Sequence, residues 1–273
     1  GQSSFDLYMS LPAKSSGKTR ISAFFRERYK TVDAMSKVWQ PAVKSWDELE
    51  NITKLTPVNE SKESQVDRED WTYIAVKQYF SVTTAAIRKY DKNHLIAGCR
   101  FVSWMVPEVV LKACGEYCDI VSINHYELAP LGNAYFGLMK KNIKMVKVDP
   151  EFSEFYRISK KPLLITEFGF RADDSGLPNS YPPPQLIQPT VPTQKAKGDK
   201  YTEWVTTWAK CPYFLGHHWF KYMDEPKEGR FDGENGNYGL VNIQDIPYEE
   251  FISRVSATNH KLVTIHSKSK VVK

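Results

Sequence analysis

Long apolar runs are missing from this chain of 273 residues: no stretch approaches the roughly 18 apolar residues that a membrane span requires. Nor is charge of one sign concentrated. The formal net charge is +5, yet lysine and arginine are spread along the chain except in the terminal SKSKVVK, which reads as a solvated tail and not as a nucleic-acid footprint. Cysteine is scarce, with four in all. Cys114 and Cys118 stand four apart without a histidine pair at zinc spacing, so buried free thiols are expected rather than a metal site or a disulfide framework. No metal and no organic cofactor is implied. A signal peptide is not read at the start, and a leader upstream of Gly1 stays open. Asn51 and Asn59 fit the N-glycosylation pattern, which carries meaning only in a secreted protein.

What is present is a composition of 41% hydrophobic and 25% charged residues, enough for a sizeable core in one large domain or two small ones. Residues 21–39 carry apolar side chains at helical spacing, and Thr31 is a candidate cap for a second helix there. A polar connection holding Pro41 and Pro57 follows, and then a helix from about Glu69 to Tyr90. Beyond it the rhythm is regular. Strands at 94–101, 119–127, 162–170 and 213–220 alternate with helices at 107–117, 150–160, 193–210 and 247–266. Four βα units in series predict an α/β fold with parallel strands and right-handed crossovers. The expected division is a helical segment over 1–92 and a βα region over 93–273, whose tail from about 267 is flexible.

Each predicted strand finishes on polar or aromatic residues. The first ends at Arg100, the second at Asn124, His125 and Tyr126, the third at Glu167, and the fourth at His217, His218 and Trp219. A packed sheet has no independent reason to gather Arg, His, Glu and Trp at one rim, whereas ligands and catalytic groups collect at the carboxyl ends of parallel strands. The run KPLLITEFGF shows the contrast most plainly: a buried apolar strand delivers Glu167 to its end.

These strand endings, with FFRERYKTVDAMSKVW, SWDELE and above all HHWFKYMDEPKEGRFDGENGNYGLVN, resemble the carboxyl-terminal half of retaining glycoside hydrolases with (β/α)8 barrels, in particular agarases and β-galactosidase-like enzymes. The resemblance implies strands five to eight of a TIM barrel and a two-carboxylate route on a β-linked galactan-type polysaccharide such as agarose. It implies Glu167 as the nucleophile that forms a glycosyl-enzyme intermediate, Tyr126 as the hydroxyl that orients it, and Trp219 as the floor of the sugar subsite. Asn124, His125, His218, Arg100, Asp232, Glu234 and Asn235 are the further candidate substrate contacts. Read from the residues alone, Tyr126 is equally an ordinary strand tyrosine, and the histidines are equally structural. Arg100 either binds sugar hydroxyls or holds Glu167 charged, the second being preferred. The proline-rich stretch 176–194 is long for a connection and reads as a binding rim or a disordered loop.

One part of the pattern is absent. The resemblance places the general acid as a glutamate after an asparagine at the end of strand four, and strands one to four have no counterpart here. Asn59-Glu60 is the one Asn-Glu pair, in polar surroundings that do not suit a proton-holding acid. A half-barrel leaves sheet edges unpaired and its inner face uncovered. Association is therefore expected, either a homodimer or completion by a separate amino-terminal half, with a carbohydrate as the other partner and neither nucleic acid nor membrane. The alternative function is a non-catalytic sugar-binding relic. A secreted or periplasmic setting follows from the resemblance to polysaccharide-degrading enzymes alone.

Overall fold

The computed structural model describes residues 3–139 and 143–270. It divides into two compact units, one running up to Tyr90 and joined by a short stretch ending at Lys144, the other from Asp91 onward. The last three residues of the expected flexible tail lie outside the described residues.

The first unit is helical. It contains α1 (Ser4–Met9), α2 (Ser16–Tyr29), α3 (Val32–Ser36), the two-residue strand β1 (Trp39–Gln40), α4 (Trp46–Leu49), the strand β2 (Thr56–Pro57) paired antiparallel with β1, and α5 (Lys62–Tyr90). Thr31 does cap the second helix of the 21–39 stretch, its hydroxyl accepting from the Ala34 N–H at 3.2 Å. The polar connection is more ordered than its composition suggests. Ser61 and Ser64 exchange backbone-to-side-chain bonds and so start α5 at Lys62, ahead of the Glu69 predicted. Phe5, Phe25, Trp39 and Trp71 fill the core. Asp67, wholly buried in it, accepts from the Trp39 indole at 2.7 Å and the Tyr29 hydroxyl at 2.5 Å and is ion-paired with Arg28. Such a buried charge is tolerable only because each oxygen is engaged.

The second unit carries β3 (Arg100–Val102), α6 (Glu108–Tyr117), β4 (Val121–Asn124), α7 (Pro130–Met139), α8 (Ser153–Ser159), β5 (Leu163–Phe168), the short strands β6 (Arg171–Ala172) and β7 (Thr190–Val191), α9 (Gln194–Ala209), β8 (Phe214–Trp219) and α10 (Glu249–Ser267). The strands β3, β4, β5 and β8 form one parallel sheet in that order. This is an α/β fold with a partial TIM-barrel-like sheet. The first strand is shorter than predicted. Gly98 adopts a left-handed φ of +67°, and the Ser122 hydroxyl donates to the Ala97 and Cys99 carbonyls, which removes residues 94–99 from the ladder.

Helices cover one face of the sheet. Tyr201, Val205 and Trp208 recur at helical spacing along α9 and are buried, and Phe168 of β5 packs against Tyr201 at 5.8 Å and Trp208 at 4.9 Å. The other face carries Arg100, Val102 and His218, all exposed. All four cysteines are free thiols. Among the described residues no helix is long and apolar enough to cross a membrane.

Candidate active site

Parallel pairing sets the geometry at the carboxyl ends of β4 and β5. Asn124 stands opposite Glu167, after a register shift at Ile123, and the His125 N–H donates to the Glu167 carbonyl at 2.8 Å. The next residue therefore hangs over the carboxylate. Tyr126 donates its hydroxyl to Glu167 Oε1 at 2.8 Å, while Arg100, from the end of β3, brings Nη1 to 3.2 Å from Oε2. Burial, and then the Glu167 charge beside it, push the Tyr126 phenol well above its usual range, so it stays a donor. The Arg100 side chain is 61% exposed, and water screens its pull on the carboxylate.

These groups open into a cleft of about 430 Å³, walled by Trp104, Tyr126, Glu167, Phe220, Arg230 and Glu234, with Gln188 and Tyr238 behind. Its aromatic members are Trp104, Tyr126, Phe220 and Tyr238. Along β8, Trp219 shares the helical side with His217, two residues before it, whose ring bonds the Tyr201 hydroxyl at 2.9 Å. There Trp219 packs on Phe168 at 5.1 Å and Phe251 at 5.1 Å and donates its indole N–H to the Tyr238 carbonyl at 2.8 Å. Trp219, expected as the floor of a sugar subsite, is thus absent from the cleft wall, and its neighbour Phe220 stands there.

Arg230 organises the loop after β8. It clasps Asp232 through Nε and Nη2, both at 2.8 Å, reaches Glu225 at 3.0 Å, and lies 2.9 Å from Glu234 Oε2. Glu234 is the one residue of the Asp232, Glu234 and Asn235 trio in the cleft wall. Burial raises its carboxyl pKa, with Arg230 opposing. Asp232 is taken up by the clasp. Asn235 ties the loop to the proline-rich segment, accepting from the Ser180 and Tyr181 N–H groups at 3.0 and 3.1 Å.

That proline-rich segment is neither disordered nor free. The wholly buried Arg171 donates to the Asn179 carbonyl at 3.1 Å, the Pro182 carbonyl at 2.8 Å and the Gln188 carbonyl, which fixes Pro182, Ile187 and Gln188 as one wall of the cleft. Beside it, buried Lys197 holds the Asn237 and Gly239 carbonyls at 3.1 and 3.0 Å, and the Asn237 N–H donates to Asn179 Oδ1 at 2.8 Å.

The remaining predicted contacts divide. Asn124 lines the cleft and accepts from Thr166 at 2.9 Å. His125 does not reach it: the ring turns away, bonds Ser103 at 2.8 Å and stacks on Trp204 at 4.7 Å. His218 is exposed on the open sheet face, outside the cleft wall. Asn59 and Glu60 are exposed in the helical unit. Sequence reading passed over Trp104, Phe220, Arg230 and Tyr238. Only the mixed polar and aromatic composition of 219–239 hinted at the last three, and nothing in it gave the phase. Among the described residues no group of three or more His, Cys, Asp or Glu could hold a metal ion.

No protein-family model matches the chain. Beta-agarase B of Vibrio sp. (strain JT0107) is 30% identical over 262 residues, which make up 93% of this chain and 24% of that protein. Among solved structures, an exo-beta-agarase is 30% identical with a TM-score of 0.76, covering 95% of this chain and 32% of that one. The chain is a relative of the beta-agarases. A second agarase structure agrees, with a TM-score of 0.76 at 27% identity, covering 96% of this chain and 34% of the agarase. The chain thus spans about a quarter of the length of the Vibrio beta-agarase it matches and a third of these agarase structures.

Proposed function

We propose that the second unit is the nucleophile-bearing part of a retaining glycoside hydrolase acting on agarose or a closely similar β-linked galactan. The observation that carries this reading is the 2.8 Å bond from Tyr126 to Glu167 inside a polar and aromatic cleft. Glu167 attacks the anomeric carbon; the sugar's C–O bond to the leaving group breaks, and a glycosyl-enzyme ester forms. Tyr126 holds Oε1, and Oε2, which the largely exposed Arg100 meets at 3.2 Å, is the oxygen that attacks once the sugar displaces that contact. Phe220 offers its face to the C–H side of the ring, while Asn124, Arg230 and Glu234 meet hydroxyls. Agarose as the substrate is supported by the beta-agarase relatives.

The proton donor is the missing element. Of the other cleft carboxyls, Glu127 is ion-paired with Lys200 and Glu234 with Arg230, so neither is free to protonate a leaving oxygen. In this reading the acid comes from a protein surface beyond these 273 residues that faces the open side of the sheet, either another copy or the amino-terminal half of a barrel. The same observation favours an alternative, a sugar-binding module without turnover. An activated aryl β-galactoside separates the two, because its leaving group departs without protonation. Slow aryl alcohol release that vanishes in Glu167→Gln supports the enzyme. Binding of agarose oligosaccharides without any release, unchanged in Glu167→Gln, supports the module and refutes the nucleophile.

A further inference from the structure

Two aromatic rings stand in water at the rim of the Glu167 cleft. Phe231 is 97% exposed and Tyr181 45%. Each is the chain neighbour of a residue in the cleft wall: Phe231 follows Arg230, and Tyr181 precedes Pro182. The Arg230 guanidinium lies 5.8 Å from the centre of the Phe220 ring in the cleft and 5.7 Å from the centre of the Phe231 ring outside it, so one side chain borders both rings.

The turn that carries Phe231 is closed on itself. The Gly233 N–H donates to the Arg230 carbonyl at 2.8 Å, the Arg230 N–H donates to the Glu234 carbonyl at 2.9 Å, and Gly233 takes a left-handed φ of +90°. Arg230 grips Asp232 from within the same turn, and Asn235 bonds the Ser180 and Tyr181 N–H groups, which joins the two loops. Tyr181 flanks the tip: a Cβ on Gly233 would stand 3.8 Å from its ring. Turn chemistry thus uses Arg230, Asp232 and Gly233 and gives no reason for a phenyl ring between them. Leaving that ring in water forgoes the roughly 1.5–3 kcal/mol that burying such a side chain contributes. A single exposed apolar side chain is ordinary. Two aromatic rings on loops bonded to each other, both beside one cleft, form an ordered surface on which a ligand can lie with little further loss of conformational entropy. Open aromatic faces suit the apolar C–H faces of a sugar ring, and the closeness of Phe231 to Arg230 and Phe220 suits a sugar joined to one already in the cleft.

We propose that Phe231, with Tyr181 beside it, is a stacking platform for galactan units that extend out of the cleft, so that the site favours long chains over short ones. This inference rests on the reading of the Glu167 cleft as a sugar site.

Calorimetric titration of these 273 residues with an agarose-derived disaccharide and hexasaccharide tests it. One added stacked ring is worth about 0.5–1.5 kcal/mol, or roughly 2- to 12-fold, so the hexasaccharide binds tighter by about that factor. Phe231→Ala brings the ratio of the two affinities close to one, and Phe231→Trp, which keeps an aromatic face, preserves it. Because the side chain is almost wholly in water, both variants keep the circular dichroism and melting temperature of the unaltered protein. Equal affinity of the two sugars before substitution, or a gain that survives Phe231→Ala, overturns the platform while the cleft stands. If Phe231→Ala breaks up an assembly seen by light scattering and leaves the ratio in place, the ring is a protein contact and the platform is likewise refuted. If neither sugar binds, both readings fall.

Discussion

A hydroxyl steadies a carboxylate best when it cannot lose its own proton. Tyr126 meets that condition through burial and through the charge of Glu167. A hydrogen bond to a charged group contributes about 1.5–3 kcal/mol, so Tyr126→Phe should slow aryl glycoside turnover by about 10- to 150-fold. The fold should be unchanged, since only the hydroxyl is removed. Steady-state kinetics and circular dichroism check the two halves of that expectation. Glu167→Gln, by contrast, should leave no measurable release. His125 and His217 give the site's surroundings an acid limit. Burial lowers the first to about 3 and the second to about 4, from 6.5. The unfolded chain therefore takes up these protons first as pH falls below 6.5. Stability is lost from there down towards pH 3, each group steepening the loss by up to about 1.4 kcal/mol per pH unit. Thermal melts between pH 7 and 4 should show this slope, and His217→Gln should lessen it.

At the scale of elements, two buried cations hold the loops that wall the cleft. Arg171 carries the proline-rich segment on three carbonyls, and Lys197 carries the segment after β8 on two. Arg171→Met should expose residues 176–190 to protease and weaken oligosaccharide binding, while α9 and α10 remain protected. Lys197 adds a pH signature. Burial lowers its pKa from 10.5 to about 7, with Asp224 and Asp174 opposing. Between those values the unfolded chain holds a proton that the folded chain has released, so stability rises with pH from 7 towards 10.5. In Lys197→Met that rise should disappear from the melting curves. Neither clamp was legible in the sequence, because a lone arginine or lysine inside a helix or strand pattern looks the same whether it meets water or carbonyls. The βα order was legible, since strand and helix periods differ and each strand ended on polar residues. Glu167 and Tyr126 come together because neighbouring parallel strands end at one level. The side taken by Trp219 follows from alternation with His217, which meets Tyr201 of α9, whereas Phe220 lies just past the end of β8, where the two-residue period no longer assigns a side.

For the molecule as a whole, the decisive feature is a four-stranded sheet covered on one side. Among the described residues its free edges are β3 and β8, and its uncovered face presents Val102 at 40% exposure beside Arg100 and His218. A face of this kind, bordered by unpaired strand edges, favours contact with another polypeptide. The same contact is the route by which a proton donor could reach Glu167, so assembly and turnover of unactivated substrate should rise together. Light scattering at tens of micromolar should give about twice the monomer mass. Val102→Lys, placing a charge on the open face, should return it to the monomer with the secondary structure intact. If these 273 residues form a stable monomer at that concentration, self-completion is excluded, and hydrolysis of agarose would then require an acid from protein beyond them. A dimer that binds agarose oligosaccharides yet never hydrolyses them would show that two copies of this face do not bring an acid within the roughly 5–5.5 Å that a retaining pair needs.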